Sequence, residues 1–301
     1  MLWLFLRQCC RSAFQKRSAA GTLLRAYREV FTAPSEKYDW NAMTLDLNYR
    51  ELASESSERP LLMLHGLFGS ASNLQIVGRQ IAQHRPVILP DLRNHGRSPH
   101  ADDISYQAMA EDVLQLMDKL GCDQADLLGH SMGGKVSMWF ALKFPERVNH
   151  LIVADIAPVT YANRFQQIIK AMQTVDLDRL GNRQQADDNL AQYLSDAALR
   201  GYLLQNLVNT DGKWSWRINL DQLASNIECI MEFPETSAEF AKPVLFLKGE
   251  NSDYISEASE EALYRLFPLA EISTIQNAGH WVYAEQPDAF TERVCNFLSP
   301  A

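Results

Sequence analysis

The sequence predicts an α/β fold: a mostly parallel sheet flanked by helices, with a helical cap inserted late in the chain. Three observations predict it. From about residue 38 onward, short apolar runs bounded by glycine or proline alternate with helix-period stripes. A Gly-x-Ser-x-Gly stretch at 129–133 stands between an apolar run and a helix-like one, the context of a strand-turn-helix elbow. Over residues 158–242 the strand rhythm stops and helical patterns take over. With 301 residues and 47% hydrophobic composition, the chain can bury one large core plus such an insertion, and is too short for two full-sized enzymes.

The elements follow in order. Residues 43–52 read as a first strand or hairpin, and Leu61, Leu62, Met63 and Leu64 as a short buried strand after Pro60. The next turn, His65-Gly66-Leu67-Phe68-Gly69-Ser70, is placed to present the Leu67 N–H to an oxyanion, with His65 bracing it by hydrogen bonds. Val87, Ile88 and Leu89 give another strand. It ends in a charged turn at 90–98, where Asp91 and the arginines are expected to fix loops; the Gly-x-x-x-x-Gly-Lys spacing of a phosphate loop is missing. Residues 105–120 put Met109, Val113, Leu116, Met117 and Leu120 on one helical face. After the elbow, 135–144 reads as a helix stopped by Pro145, and 150–154 as a strand with Asp155 at its end. In the cap, Phe165, Ile168, Ile169 and Met172 form one stripe and Leu199, Leu203 and Leu207 another. These faces either pack on the body or line a pocket, and Trp214 and Trp216 share that choice. The sheet resumes at 243–248, followed by a helix at 256–267, a last strand about 272–275 and a closing helix at 288–298.

At the elbow, Ser131 would be held out on a strained turn, with the Met132 N–H at the start of the following helix as an oxyanion donor. A serine hydroxyl needs a base to take its proton. Of seven histidines, only His280 lies downstream in a glycine-containing loop after a late strand, in the Ser, acid, His chain order of this architecture. The acid that would orient the imidazole has three candidates: Asp155 first, then Asp253 after the penultimate strand, then Asp221 where the cap returns. Asp221 could equally cap a helix. The chemistry implied is acyl transfer to water, with no metal or organic cofactor.

Net charge is −9, unevenly spread. Residues 1–28 hold six basic residues and no acid, and the remainder is strongly acidic, which argues against nucleic-acid binding. The Arg-rich, acid-free start resembles a mitochondrial transit peptide over residues 1–35, and its apolar run is too short to span a bilayer. A matrix location is therefore expected. Cys9 and Cys10 fall in that segment, leaving Cys122, Cys229 and Cys295, an odd number at wide spacing, as buried small residues in a reducing compartment would be. An acidic body with an apolar cap favours a small neutral acyl ester as substrate.

Taken jointly, the elbow at 129–134, the glycine turn at 65–70, Asp-Leu-Arg-Asn-His-Gly-Arg-Ser at 91–98 and Gly-His-Trp at 279–281 resemble the α/β-hydrolase family over residues 38–301. Asn94 and Gly-Glu-Asn-Ser at 249–252 are similar to its bacterial acyl-esterase branch, and the basic start to a mitochondrial branch of serine hydrolases. That resemblance implies esterase or lipase activity, including hydrolysis of diacylglycerol at the sn-1 ester, and a link to the 2-oxoglutarate dehydrogenase complex. It also implies that the acid after the penultimate strand is not dependable, which favours Asp155 over Asp253. A rival role is a non-catalytic or dual-role protein that keeps the scaffold to protect a mitochondrial enzyme complex.

Overall fold

Strands that are apolar on both faces take the middle of the sheet. In the computed structural model, which describes residues 44–299, β2 (Leu61–Leu64), β3 (Val87–Pro90) and β4 (Ala125–His130) are buried at every position. β5 (Val148–Ala154) and β8 (Val244–Gly249) are buried over most of their length. Such two-sided runs suit parallel strands covered by helices above and below. The half-exposed β1 (Tyr49–Leu52) takes one edge, antiparallel to β3, and the partly exposed β9 (Ala270–Ile275) takes the other. The sheet order is β1-β3-β2-β4-β5-β8-β9, parallel apart from β1.

Two apolar layers hold it. On one face, α1 (Gln75–Ile81) packs with α11 (Pro287–Leu298) through residues such as Leu74, Val77, Phe290 and Val294. On the other, α2 (Tyr106–Lys119) packs with α3 (Met132–Lys143), joined by α9 (Glu257–Leu266). The expected stripe of α2 is buried at Met109, Val113, Leu116 and Met117, and Ser105 caps the helix by accepting the Ala108 N–H.

Between β5 and β8 run α4 (Gln166–Gln173), α5 (Arg183–Ala191), α6 (Ala197–Leu204), α7 (Leu220–Ser225) and α8 (Ile227–Met231). This segment also contains an antiparallel hairpin, β6 (Leu207–Thr210) and β7 (Lys213–Trp216), which the helical stripes did not foreshadow. Leu207 opens β6 instead of continuing the α6 stripe, and Trp214 and Trp216 lie on β7. Among the described residues of the first stretch expected as strand or hairpin, only Tyr49–Leu52 is a strand. Cys229 is exposed on α8 and Cys122 and Cys295 are half-buried, so the expectation of three buried cysteines does not hold. The targeting segment expected at 1–35 lies outside the described residues. Among the described residues, no helix is long and apolar enough to cross a membrane.

Topology fixes where chemistry can occur. From β2 the chain steps to β3 on one side, and from β4 to β5, β8 and β9 on the other, so the order reverses between β2 and β4. The loops leaving their carboxyl ends face the crevice of a topological switch point, the ligand site of open α/β sheets. Those loops begin at His65 and Ser131.

Candidate active site

Ser131 occupies the turn between β4 and α3 with φ 53° and ψ −120°, a strained conformation for a residue with a side chain. Neighbouring hydrogen bonds hold it there: Ser131 N–H donates to Ala154 O at 3.0 Å, and Ser131 O accepts the Lys135 N–H at 3.1 Å. Gly129 is required by the turn, because a Cβ there would lie 2.1 Å from Gly133 O. The β2 loop also passes close to the elbow. A Cβ on Gly66 would sit 3.2 Å from Ser131 Cβ, so the segment carrying Leu67 passes directly beside the hydroxyl.

His280 follows β9 and meets Ser131 from the other side. Its Nε2 lies 3.1 Å from Ser131 Oγ, and its Nδ1 lies 2.7 Å from Asp155 Oδ2. Asp155 is wholly buried at the end of β5 with φ 53°, its N–H donating to Leu247 O at 2.8 Å. The carboxylate takes more than the imidazole. Gly249 N–H donates to Oδ1 at 3.0 Å, and Ser252 Oγ–H makes a short hydrogen bond to Oδ2. Three donors satisfy this buried carboxylate. With Nδ1–H facing Asp155, the bare Nε2 is the atom turned to the serine.

The other two carboxylates are placed elsewhere. Asp253 is exposed and pairs bidentately with Arg164 at 2.8 and 2.7 Å. The Arg164 guanidinium holds the Asp253 carboxyl below the usual range. Asp221 lies in the exposed first turn of α7, whose cap is Asn219. Neither contacts His280 by hydrogen bond or ion pair. The structure brings together Ser131, His280 and Asp155.

Histidines outside this chain brace the loops. His65 Nδ1–H donates to Gly66 O at 2.9 Å while Nε2 accepts the Leu92 N–H at 3.0 Å. His95 Nε2 accepts the Phe68 N–H at 3.2 Å. His130 Nε2–H donates to His280 O at 2.8 Å. Burial disfavours their charged forms, lowering the His65 pKa and pushing those of His95 and His130 down to about 3. Asp91 ties the same region by accepting N–H groups from Ala71 and Arg97 and from the Asn48 side chain.

Several contributors could not be read from the sequence. Tyr202 on α6 donates to Leu67 O at 2.8 Å, and Asn206 donates to Phe68 O at 2.7 Å, so the inserted segment fixes the loop that carries Leu67. Lys135, four residues after Ser131, is buried and donates to Met231 O at 2.7 Å and Glu232 O at 2.9 Å where α8 ends. Burial lowers its pKa to about 7. Ser252 lies in a tetrapeptide notable only by resemblance.

Two cavities meet at the serine. One, of about 210 Å³, has apolar walls from Phe68, Phe165, Ile168, Leu199, Tyr202 and Trp281. The other, of about 20 Å³, lies toward Met132, Lys135 and Tyr161. Ser131 and Leu67 line both. A model of the alpha/beta hydrolase fold matches residues 59–287. The chain belongs to the α/β-hydrolase family. This hydrolase is 40% identical to mouse (Mus musculus) sn-1-specific diacylglycerol lipase ABHD11 over 85% of its own length and 86% of the relative's. It is 35% identical to the Escherichia coli esterase YbfF over 85% of this chain and all of that one. A solved marine microorganism esterase superposes with a TM-score of 0.81 at 39% identity, covering 84% of this hydrolase and all of the esterase. Among the described residues, no group of three His, Cys, Asp or Glu side chains is arranged to hold a metal ion.

Proposed function

We propose that this carboxylic ester hydrolase works through an acyl-enzyme on Ser131 and takes a neutral glycerolipid ester, of the diacylglycerol type, as substrate. The observation that carries the mechanism is the continuous chain from Ser131 Oγ through His280 to the buried Asp155. Ser131 Oγ attacks the ester carbonyl as His280 Nε2 takes its proton, and Asp155 keeps the proton on Nδ1 and stabilises the imidazolium. The Leu67 and Met132 N–H groups receive the developing oxyanion, one from the β2 loop and one from the start of α3. His280 then protonates the departing alcohol. Water, deprotonated by the same imidazole, releases the acid and restores Ser131. The apolar walls of the larger cavity suit an acyl chain, and the relatives named as a diacylglycerol lipase and an esterase support the ester class.

The test is the intact mass of purified protein after exposure to a fluorophosphonate, beside Ser131→Ala. One adduct on the wild type alone is expected, followed by release of fatty acid from diacylglycerol. A folded wild type that takes no adduct overturns the mechanism and leaves a scaffold that protects a partner, such as the 2-oxoglutarate dehydrogenase complex.

The same reading places the enzyme in the mitochondrial matrix. The support is the acid-free, basic composition of residues 1–28. A fluorescent fusion of residues 1–35 is expected to enter mitochondria, and a diffuse cytosolic signal overturns the location.

A further inference from the structure

Beside the Ser131-His280-Asp155 chain lies an aromatic ring with no part in the mechanism above. Tyr254 stacks on the His280 imidazole with ring centroids 4.0 Å apart and planes 21° from parallel. It is anchored on both sides of its backbone. Tyr254 O accepts the Tyr161 hydroxyl at 2.6 Å, and that hydroxyl accepts the Ala157 N–H at 2.8 Å. Tyr254 N–H points to Ser252 Oγ at 3.4 Å, the hydroxyl that bonds to Asp155. The stacking ring and the orienting carboxylate therefore share one scaffold. A tyrosine face is the negative end of a quadrupole, so it attracts a cation lying over it more than a neutral ring.

We propose that Tyr254 is a positioning residue for the base: its ring face holds the His280 imidazole in plane with Ser131 and Asp155 and favours the imidazolium formed when Ser131 gives up its proton. The inference rests on the Ser131-His280 reading and deepens it. Uncharged His280 gains little from the stack, whereas the cation present at the transition state gains more, which is the differential binding that accelerates a step.

The groups facing His280 set the background. Asp155 lies at 2.7 Å from the end of β5, and His130, buried and neutral, lies with its ring 4.8 Å away from the end of β4. Arg164 sits 5.6 Å from the Tyr254 ring and is paired with Asp253, which offsets its charge. Glu285 of α10 (Val282–Glu285) accepts the Gly279 and Trp281 N–H groups on either side of His280. Asp155, His130 and Glu285 do not depend on the π face of Tyr254; Arg164 does lie over that ring, but its ion pair with Asp253 holds it in place, so changing the face acts on His280 chiefly through the stack.

The experiment is the pH profile of kcat/KM on a neutral ester for wild type, Tyr254→Phe, Tyr254→Leu and Tyr254→pentafluorophenylalanine. The acidic limb of that profile reports the base in the free enzyme. Tyr254→Phe keeps the π face and is expected to overlay the wild type. Tyr254→Leu keeps apolar cover without a π face, and is expected to lower the limb by about half to one pH unit and kcat by about 3- to 10-fold. Pentafluorophenylalanine keeps the ring's shape but reverses its quadrupole, so it carries the test even where Leu does not fold. Its limb is expected to move down as far or further. A fluorinated variant whose limb coincides with that of the wild type overturns the proposal and leaves Tyr254 a packing residue. Failure of folded wild type to take a fluorophosphonate defeats the Ser131 reading itself; an adduct with unmoved limbs defeats only the role of Tyr254.

Discussion

Asp155 and Asp253 both follow adjacent parallel strands, yet they live in different solvents. Asp155, closing β5, is wholly buried and receives hydrogen bonds from His280, Gly249 and Ser252. Asp253, in the loop after β8, is largely in water and pairs with the exposed Arg164. The loop after β8 thus supplies no acid of its own to His280. Instead it lends an amide and a hydroxyl to the carboxylate of the neighbouring strand. The difference shows that a strand end becomes an orienting site through the donors converging on it, since a buried carboxylate without them would take up a proton.

The largest expected effect follows directly. Asp155→Asn keeps the shape but presents a donor where His280 needs an acceptor, which favours the wrong imidazole tautomer; kcat is expected to fall about 10³- to 10⁴-fold. Asp253→Asn and Asp221→Asn remove exposed charges and are expected to stay within about threefold of wild type. Steady-state kinetics on one soluble ester, with circular dichroism to confirm folding, decide it. Comparable mild losses in all three would break the contrast between the two strand ends.

That contrast explains what could be read before the structure. The α/β class, the order of elements and the elbow are local matters. Flanking apolar runs and a Gly-x-Ser-x-Gly spacing state that Ser131 sits between a strand and a helix, because the turn cannot accommodate a Cβ at Gly129. Position in the chain likewise singled out His280 among seven histidines. The acid was harder. Asp155 and Asp253 both follow strands, and what separates them are the Gly249 amide and the Ser252 hydroxyl, about 95 residues from Asp155 and invisible to any pattern of spacing. The inserted segment was the least legible region. The first strand of its hairpin, Leu207–Thr210, carries no alternation and the second alternates over only four residues, while Tyr202 and Asn206 reach the β2 loop only through tertiary packing. Surface composition also misled at Cys229, an apolar type left exposed on a short helix.

Lys135 sharpens the comparison from the opposite sign of charge. Where Asp155 is buried among charge-matched donors, the Lys135 ammonium is buried against backbone carbonyls at the end of α8, with the rings of Tyr161 at 4.9 Å and Tyr106 at 5.9 Å and, among the described residues, no carboxylate bonded to it. Carbonyls and π faces only partly replace water, so burial lowers its pKa from 10.5 to about 7. The unfolded chain therefore binds more protons here than the folded one between those values. Stability from this site is lowest below about pH 7 and rises as pH increases toward the unfolded value. Urea unfolding of wild type minus that of Lys135→Met is expected to gain roughly 2–4 kcal/mol from pH 7 to pH 10. Taking the difference removes most of the opposing contribution of the buried tyrosines, whose raised pKa values affect both proteins. A difference that stays flat across this window would mean that the carbonyls of α8 solvate the ammonium as well as water does, and the buried lysine would then belong with Asp155 as a fully compensated charge.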